Sequence, residues 1–131
     1  MTLRDDWEGD GTSAVIGAAM RVHDALGPGL LESAYKACLV HELTLMRVAV
    51  RSEVPIPIRY RGVSVECGYR ADLVVEGRIL IELKTVARLQ PIHGSQLLTY
   101  LRLSGISVGL LVNFNVRRLK NGIRRVRNFA A

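Results

Sequence analysis

Beyond Glu82 the chain has no acid at all. Residues 1–82 carry nine basic and twelve acidic side chains and residues 83–131 carry nine basic and none acidic, so the formal +6 divides into −3 and +9. A stretch of one sign suits a polyanionic partner, because Lys and Arg beside phosphates gain affinity by releasing counterions. The plainer alternative is a basic surface that only keeps the protein in solution. Long apolar runs are also missing. None approaches the roughly 18 residues of a membrane span, and Met1 to Asp10 is acidic where a secretory leader is basic and then apolar. A soluble cytoplasmic protein without a membrane partner is expected. Two cysteines, Cys38 and Cys67, are too few for a zinc site of their own or a disulfide framework, and reduced core or near-core thiols are expected. Repeats, low-complexity tracts and linkers are absent. What remains is 131 residues, 49% hydrophobic and 23% charged, a composition that supports one folded core. The organisation expected is a flexible lead over residues 1–12 and a single domain over 13–131.

Apolar periodicity orders that domain. Thr12 and Ser13 offer a cap to a helix in which Val15, Ile16, Ala19, Met20, Val22, His23 and Leu26 recur until Gly27 stops it. Gly27-Pro28-Gly29 turns the chain, and Leu31, Ala34, Tyr35, Cys38, Leu39, Glu42 and Leu45 resume the helical period to about Met46. The period then becomes two: Val54 to Tyr60 and Val63 to Tyr69 form a hairpin about Arg61-Gly62, with Pro55 and Pro57 marking an edge strand. Ala71 to Val75, continuing the second strand, and Arg78 to Thr85 flank Glu76-Gly77. A third helix runs from Pro91 to Ser104-Gly105, followed by strands at Ile106 to Phe114 and Ile123 to Asn128. The predicted order is ααβββαββ, an α+β fold with helices packed on a central mixed sheet.

Asp72, Glu82 and Lys84 interrupt the apolar pattern of the hairpin about Glu76-Gly77. If the loop is Glu76-Gly77-Arg78, Asp72 lies across from Glu82 on the face that also carries Val74, Leu80 and Lys84. Ala71, Leu73, Val75, Ile79, Ile81 and Leu83 then make the other face wholly apolar. A two-residue loop would mix the two sets, so the three-residue loop, with Gly77 free to take positive φ, is preferred. Two carboxylates and an ammonium in mid-sheet are costly to bury unless their charge is compensated. Mg2+ or Mn2+ would compensate it, since both favour carboxylate and water oxygens. Lys84 would then orient or activate an attacking water. The alternative is structural: a salt bridge of Lys84 with either acid at a partly exposed sheet end. Glu32, in the first turn of the second helix, has a sufficient structural reason as well, because the helix dipole favours an acid there.

Gly29-Leu30-Leu31-Glu32-Ser33-Ala34-Tyr35 resembles the signature of the GxxExxY proteins, assigned to the PD-(D/E)XK nuclease-like superfamily. The likeness runs from Ile16 to Asn128. It includes Val22-His23, Leu26-Gly27-Pro28-Gly29, Tyr69-Arg70-Ala71-Asp72-Leu73, Ile81-Glu82-Leu83-Lys84, Gln96 to Leu101 and Gly109 to Phe114. The resemblance implies a restriction-endonuclease-like core of helix, antiparallel three-stranded meander, helix and strand. It also implies a metal site of Glu32, Asp72 and Glu82 with Lys84 as the catalytic base or water-orienting group. Gln96 and Tyr100 match a glutamine and a tyrosine that some members place beside the site.

Other candidates are weaker. His23, His41 and His93 have no Cys or His at zinc spacing, and His23 reads more simply as a helix-packing histidine bonded to backbone. Cys38 has no motif of a thiol nucleophile around it, and Gly27-Pro28-Gly29 lacks the Lys-Ser/Thr of a phosphate loop. Arg117, Arg118, Lys120, Arg124, Arg125 and Arg127 cluster about the last hairpin, with Arg125 and Arg127 on one strand face and Arg124 on the other. Arg124, Arg125 and Arg127, with Arg88 and Arg102, are the candidates for holding a phosphate backbone. The function expected is metal-dependent hydrolysis of phosphodiester bonds in DNA or RNA. The competing expectation is a non-catalytic module of the same fold that binds nucleic acid or a protein partner, and a homodimer would lengthen the short binding track of so small a domain.

Overall fold

The computed structural model describes residues 9–130. In chain order the elements are α1 (Thr12–Leu26), α2 (Glu32–Leu45), β1 (Val50–Pro55), β2 (Ile58–Tyr60), β3 (Val63–Val65), β4 (Arg70–Val75), β5 (Ile79–Lys84), α3 (Pro91–Ser104), β6 (Val108–Asn113) and β7 (Ile123–Arg127). Most of the lead expected over residues 1–12 lies outside the described residues, and Thr12 already belongs to α1. Asp10, not Thr12 or Ser13, supplies the start: its Oδ1 accepts the Thr12 N–H at 3.0 Å and the Thr12 hydroxyl at 2.7 Å.

The two N-terminal helices pack against each other about the turn at Gly27 (φ +67) and Gly29 (φ +103). In α2 the buried stripe is Tyr35, Leu39 and Leu43. At about 100° per residue, Cys38 is rotated off that stripe and Leu45 lies far round from it, while Leu31 precedes the helix. Leu31 and Leu45, expected inside, are accordingly 77% and 64% exposed. Cys38 is exposed too, which corrects its expected core placement.

Five strands form one sheet in the order β1-β4-β5-β6-β7, parallel only between β5 and β6, where α3 makes the crossover. The sheet is thus mixed and the fold α+β, as expected. Two long strands expected from periodicity are each broken. The first stops at Pro55 and resumes as β2 after Pro57, and the second stops at Val65 and resumes as β4. Prolines without an amide hydrogen explain the first break. β2 and β3 consequently form a separate small hairpin, and Cys67 lies exposed in the loop that follows it, again not in the core. β1 does occupy the sheet edge, paired to β4 alone.

Strands β4 and β5 pair Leu73↔Ile81, Val74↔Leu80 and Val75↔Ile79, the register of the three-residue loop. Both Glu76 (φ +55) and Gly77 (φ +63) take left-handed backbone, and the Arg78 N–H closes the turn on Val75 O at 3.0 Å. Leu73, Val75, Ile79, Ile81 and Leu83 meet α1 and α2 in the larger core. Val74 and Leu80 meet Leu97, Tyr100 and Leu101 of α3 in the smaller one. Ala71, expected on the first face, lies with Ile56 in the smaller core, beyond a kink at Glu53 (φ +53). Strand β5 is therefore covered on both faces, which buries Glu82 on the face it shares with Leu80.

Candidate active site

The β4–β5 ladder ends at Leu73↔Ile81, one pair short of Asp72 and Glu82. From there each carboxylate bonds the backbone across the gap. The Asp72 N–H donates to Glu82 Oε1 at 3.1 Å, and the Leu83 N–H donates to Asp72 Oδ2 at 2.7 Å. On its other side β5 stays paired to β6 as far as Lys84↔Asn113. The two acids thus sit in a fork that opens where β4 parts from β5. Glu82 is only 6% exposed. Burial, then the charge of Asp72, pushes its carboxyl up to about 8 from an ordinary 4.5, against the pull of the Asp72 N–H and of Lys84. Burial also raises Asp72, partly offset by the Leu83 N–H.

Lys84 lies half-buried on the same strand, two residues on, and forms no ion pair among the described residues. The hairpin salt bridge that would have made the trio structural is not formed. Glu32 opens α2 nearby, raised by burial and then by the charge of Asp72, with Lys84 and Lys36 pulling the other way. Lys36, one turn along α2, bonds Glu53 of β1. Glu53 interrupts the β1–β4 ladder between Ser52↔Leu73 and Val54↔Ala71, across from Asp72, and its charge helps to raise that acid. Neither Lys36 nor Glu53 stood out in the sequence. The spacing of Lys36 four residues after Glu32 is a signal that was there to read. Glu53 had none, because its neighbour depends on the strand pairing.

The first helical turn of α2 is held by the tyrosine of its own motif. Tyr35 donates its hydroxyl to Gly27 O and accepts the Leu30 N–H at 3.2 Å. Its ring stacks on Phe114, with centroids 4.4 Å apart and planes 6° from parallel. Glycine at 29, glutamate at 32 and tyrosine at 35 therefore do three separate things: turn the chain, present a carboxylate and pin the turn. His23 is a packing residue, buried at 6%, its Nε2–H donating to Val116 O at 2.7 Å. His93 caps α3 by accepting the Gln90 N–H at 2.9 Å, and His41 is exposed on α2.

On the other side of the fork, α3 presents Gln96 and Tyr100, joined by a bond from Gln96 Nε2 to the Tyr100 oxygen at 3.2 Å. Burial and the Glu82 carboxylate hold the Tyr100 phenol above its ordinary range. The loop into α3 is fixed by Asn113, which sequence reasoning missed although it is the polar residue of an otherwise apolar strand. Fully buried, its amide accepts the Val86 N–H at 3.1 Å and donates to Val86 O at 2.9 Å.

The arginine candidates disperse. Arg125 bonds Asp10, and Arg127 stands 4.0 Å from the same carboxylate. Burial works against ionisation of Asp10, but the Thr12 bonds and Arg125 outweigh it and bring its carboxyl to about 2. Arg124 lies instead beside the start of α3, with Leu89, Gln90 and Gly94. Arg88 and Arg102 are exposed, one in the loop after β5 and one in the last turn of α3.

The donor set suits a hard divalent cation: carboxylate oxygens only, one of them buried and without a cation at ion-pair distance. Among the described residues, however, no three His, Cys, Asp or Glu side chains close on one point. The convergence of Glu32 with Asp72 and Glu82 is therefore not formed here, because both strand acids are bonded to backbone within the fork while Glu32 stands on a separate element. Mg2+ commonly binds through one or two carboxylates and keeps several waters, so Asp72 and Glu82 fit as the residues that would hold it, with the Glu32 carboxylate near enough to feel the charge of Asp72.

A family model of the PD-(D/E)XK nuclease superfamily matches residues 9–126. The chain belongs to that superfamily. Searches among curated proteins and among solved structures give no significant match. The PD-(D/E)XK assignment accounts for the mixed sheet with its α3 crossover, and enzymes of this superfamily typically use divalent metals and act on nucleic acids. Among the described residues no helix is long and apolar enough to cross a membrane.

Proposed function

We propose that this protein is a divalent-metal-dependent nuclease of the GxxExxY branch of the superfamily, hydrolysing phosphodiester bonds in DNA or RNA with Mg2+ or Mn2+. The observation that carries this reading is the fork itself: Asp72 and Glu82 side by side where the ladder opens, with an unpaired Lys84 on the same strand. Asp72 and Glu82 would hold the ion, and Glu32 would orient its water shell. When bound, the ion supplies Lewis-acid charge for the scissile phosphate. Lys84 is free to orient the attacking water and, if its proton is released, to take one from it. Gln96 and Tyr100 border the same face and position the substrate. Two unpaired, exposed thiols go with a reducing, cytoplasmic setting.

The test is cleavage of mixed DNA and RNA substrates with and without Mg2+ or Mn2+, by wild type and Lys84→Ala in parallel. Cleavage that needs the metal and is lost in Lys84→Ala is expected. Metal-independent cleavage, or equal rates in the two proteins, would overturn the reading. Intact binding without any cleavage would favour the non-catalytic module.

The backbone-holding arginines are open to a separate measurement. With Ca2+ in place of Mg2+, so that cleavage does not interfere, Arg124→Ala is expected to flatten the log–log salt dependence of nucleic-acid affinity by about 0.9 for duplex or 0.7 for single strands. Arg125→Ala and Arg127→Ala should change it less, since Asp10 already partly neutralises both. An unchanged slope for Arg124→Ala would leave Arg88 and Arg102 as the remaining candidates.

A further inference from the structure

Beside the fork, α3 and the β2–β3 hairpin enclose a groove of about 440 Å³ that extends past Gln96 and Tyr100 to residues with no part in the proposed chemistry. Its walls are apolar: Ile58 from the hairpin and Ile92 from α3, with the rings of Tyr69 and Tyr100 tilted at 55° and 6.1 Å between centroids. Ile92 is 68% exposed and Tyr69 43%, large apolar surface left open to water. One edge is polar, formed by the Gln96 amide and the Tyr100 hydroxyl. Tyr100 also feels the charge of Glu82 and Asp72, and Gln96 is bonded to it, so the groove adjoins the candidate active site.

We propose that this groove takes an unpaired nucleobase of the strand being cut, and hence that the substrate is a nucleic acid with a single-stranded stretch at the scissile phosphate. The inference rests on the nuclease reading and adds the substrate class to it. A base is a flat ring with two π faces and a hydrogen-bonding rim. The tyrosine rings and isoleucines meet its faces, and the Gln96–Tyr100 edge meets its rim. A base stacked inside an intact duplex presents no face to a protein, so only an unpaired or extruded one can enter. Charge agrees: Arg59 and Arg61 on the hairpin form no ion pair among the described residues, whereas Arg70 is occupied by Glu66. Ile58 turns to the groove and Arg59 to the opposite face of the same strand, so the hairpin offers unpaired cations on its outer side, which suits a strand whose phosphates pass the hairpin while a base turns inward.

The test is equilibrium binding, without metal and again with Ca2+, of single-stranded and duplex oligonucleotides of one sequence, some carrying 2-aminopurine. Tyr69→Ala and Ile92→Ala are suitable because both side chains are substantially exposed, and thermal melts check their folding. Tyr69→Ala is expected to weaken single-strand binding by about 5- to 100-fold, with Tyr69→Trp restoring it and duplex binding unchanged. Quenching of 2-aminopurine at one position should be lost with the affinity. Equal losses for single strand and duplex, or no loss in either variant, would overturn the base pocket while leaving the nuclease reading intact. So would a change of oligomeric state in the variants, which would make the groove a contact between copies. Failure of wild type to bind any oligonucleotide would overturn both.

Discussion

Glu82→Gln is expected to lower metal-dependent cleavage by roughly a thousandfold or more and, in the same molecule, to make the metal-free protein more stable at alkaline pH. The two effects have one source. Glu82 is buried beside a second acid on a strand covered on both faces, and its carboxyl is pushed up to about 8 against an ordinary 4.5. The folded protein therefore holds a proton there that the unfolded chain has released. Stability of the metal-free wild type falls as pH rises from about 4.5, and the loss is complete above about 8. Glutamine removes that slope. Its side-chain oxygen still accepts the Asp72 N–H, so the fork keeps its hydrogen bond. One pKa unit is worth about 1.4 kcal/mol, and relaxation of the fork absorbs part of the shift, so a gain of roughly 2–4 kcal/mol at pH 9 is the scale. Melting curves from pH 5 to 9, with a chelator and then with Mg2+, measure it. Wild type should regain stability with Mg2+ and the variant should gain less. A large fall in melting temperature for Glu82→Gln without metal would make this acid structural.

That charge conflict was legible in the sequence because it depends on a short-range pattern. Alternation along Ala71 to Val75 and Ile79 to Lys84, together with one glycine in the loop, was enough to set Asp72 beside Glu82. The same kind of local signal marked the helices, since Gly27, Gly105 and Pro91 punctuate the chain where the structure does. What was not legible depends on pairings between distant segments. Periodicity carried β1 into β2 and β3 into β4 as continuous strands, because it does not register that the chain leaves the sheet at Pro55-Ile56-Pro57 and rejoins it at Arg70. Cys67 was misplaced for that reason, and Cys38 because the α2 stripe follows the four-residue spacing Tyr35, Leu39, Leu43. Glu53 meets Lys36 and Asp72 only through the β1–β4 register. Arg125 and Arg127 read as free basic surface until Asp10, more than a hundred residues away in sequence, proves to lie against them.

Tyr35 offers the other large effect, and it separates holding the site from forming it. Tyr35→Ala removes a fully buried ring stacked on Phe114 and should cost about 3–5 kcal/mol, a large part of the 5–15 kcal/mol that holds a typical domain together. Tyr35→Phe is the sharper probe. It keeps the stack and deletes only the hydroxyl that joins Gly27 O to the Leu30 N–H. Leu30 is exposed, so water replaces part of that pairing, and a loss of about 1 kcal/mol is expected in chemical denaturation. The turn nevertheless sets where α2 begins, and Glu32 is its first residue. Tyr35→Phe should therefore raise the Mg2+ concentration needed for half-maximal cleavage several-fold, through a looser Glu32, while cleavage at saturating Mg2+ stays near wild type. Glu32→Gln should shift the Mg2+ dependence at least as far with little change in stability, since the lost dipole contact is offset by relief of the burial and Asp72 repulsion that raise this half-buried acid. If Tyr35→Phe lowers stability and leaves the Mg2+ dependence where it was, the turn is a packing device and Glu32 is positioned by something else.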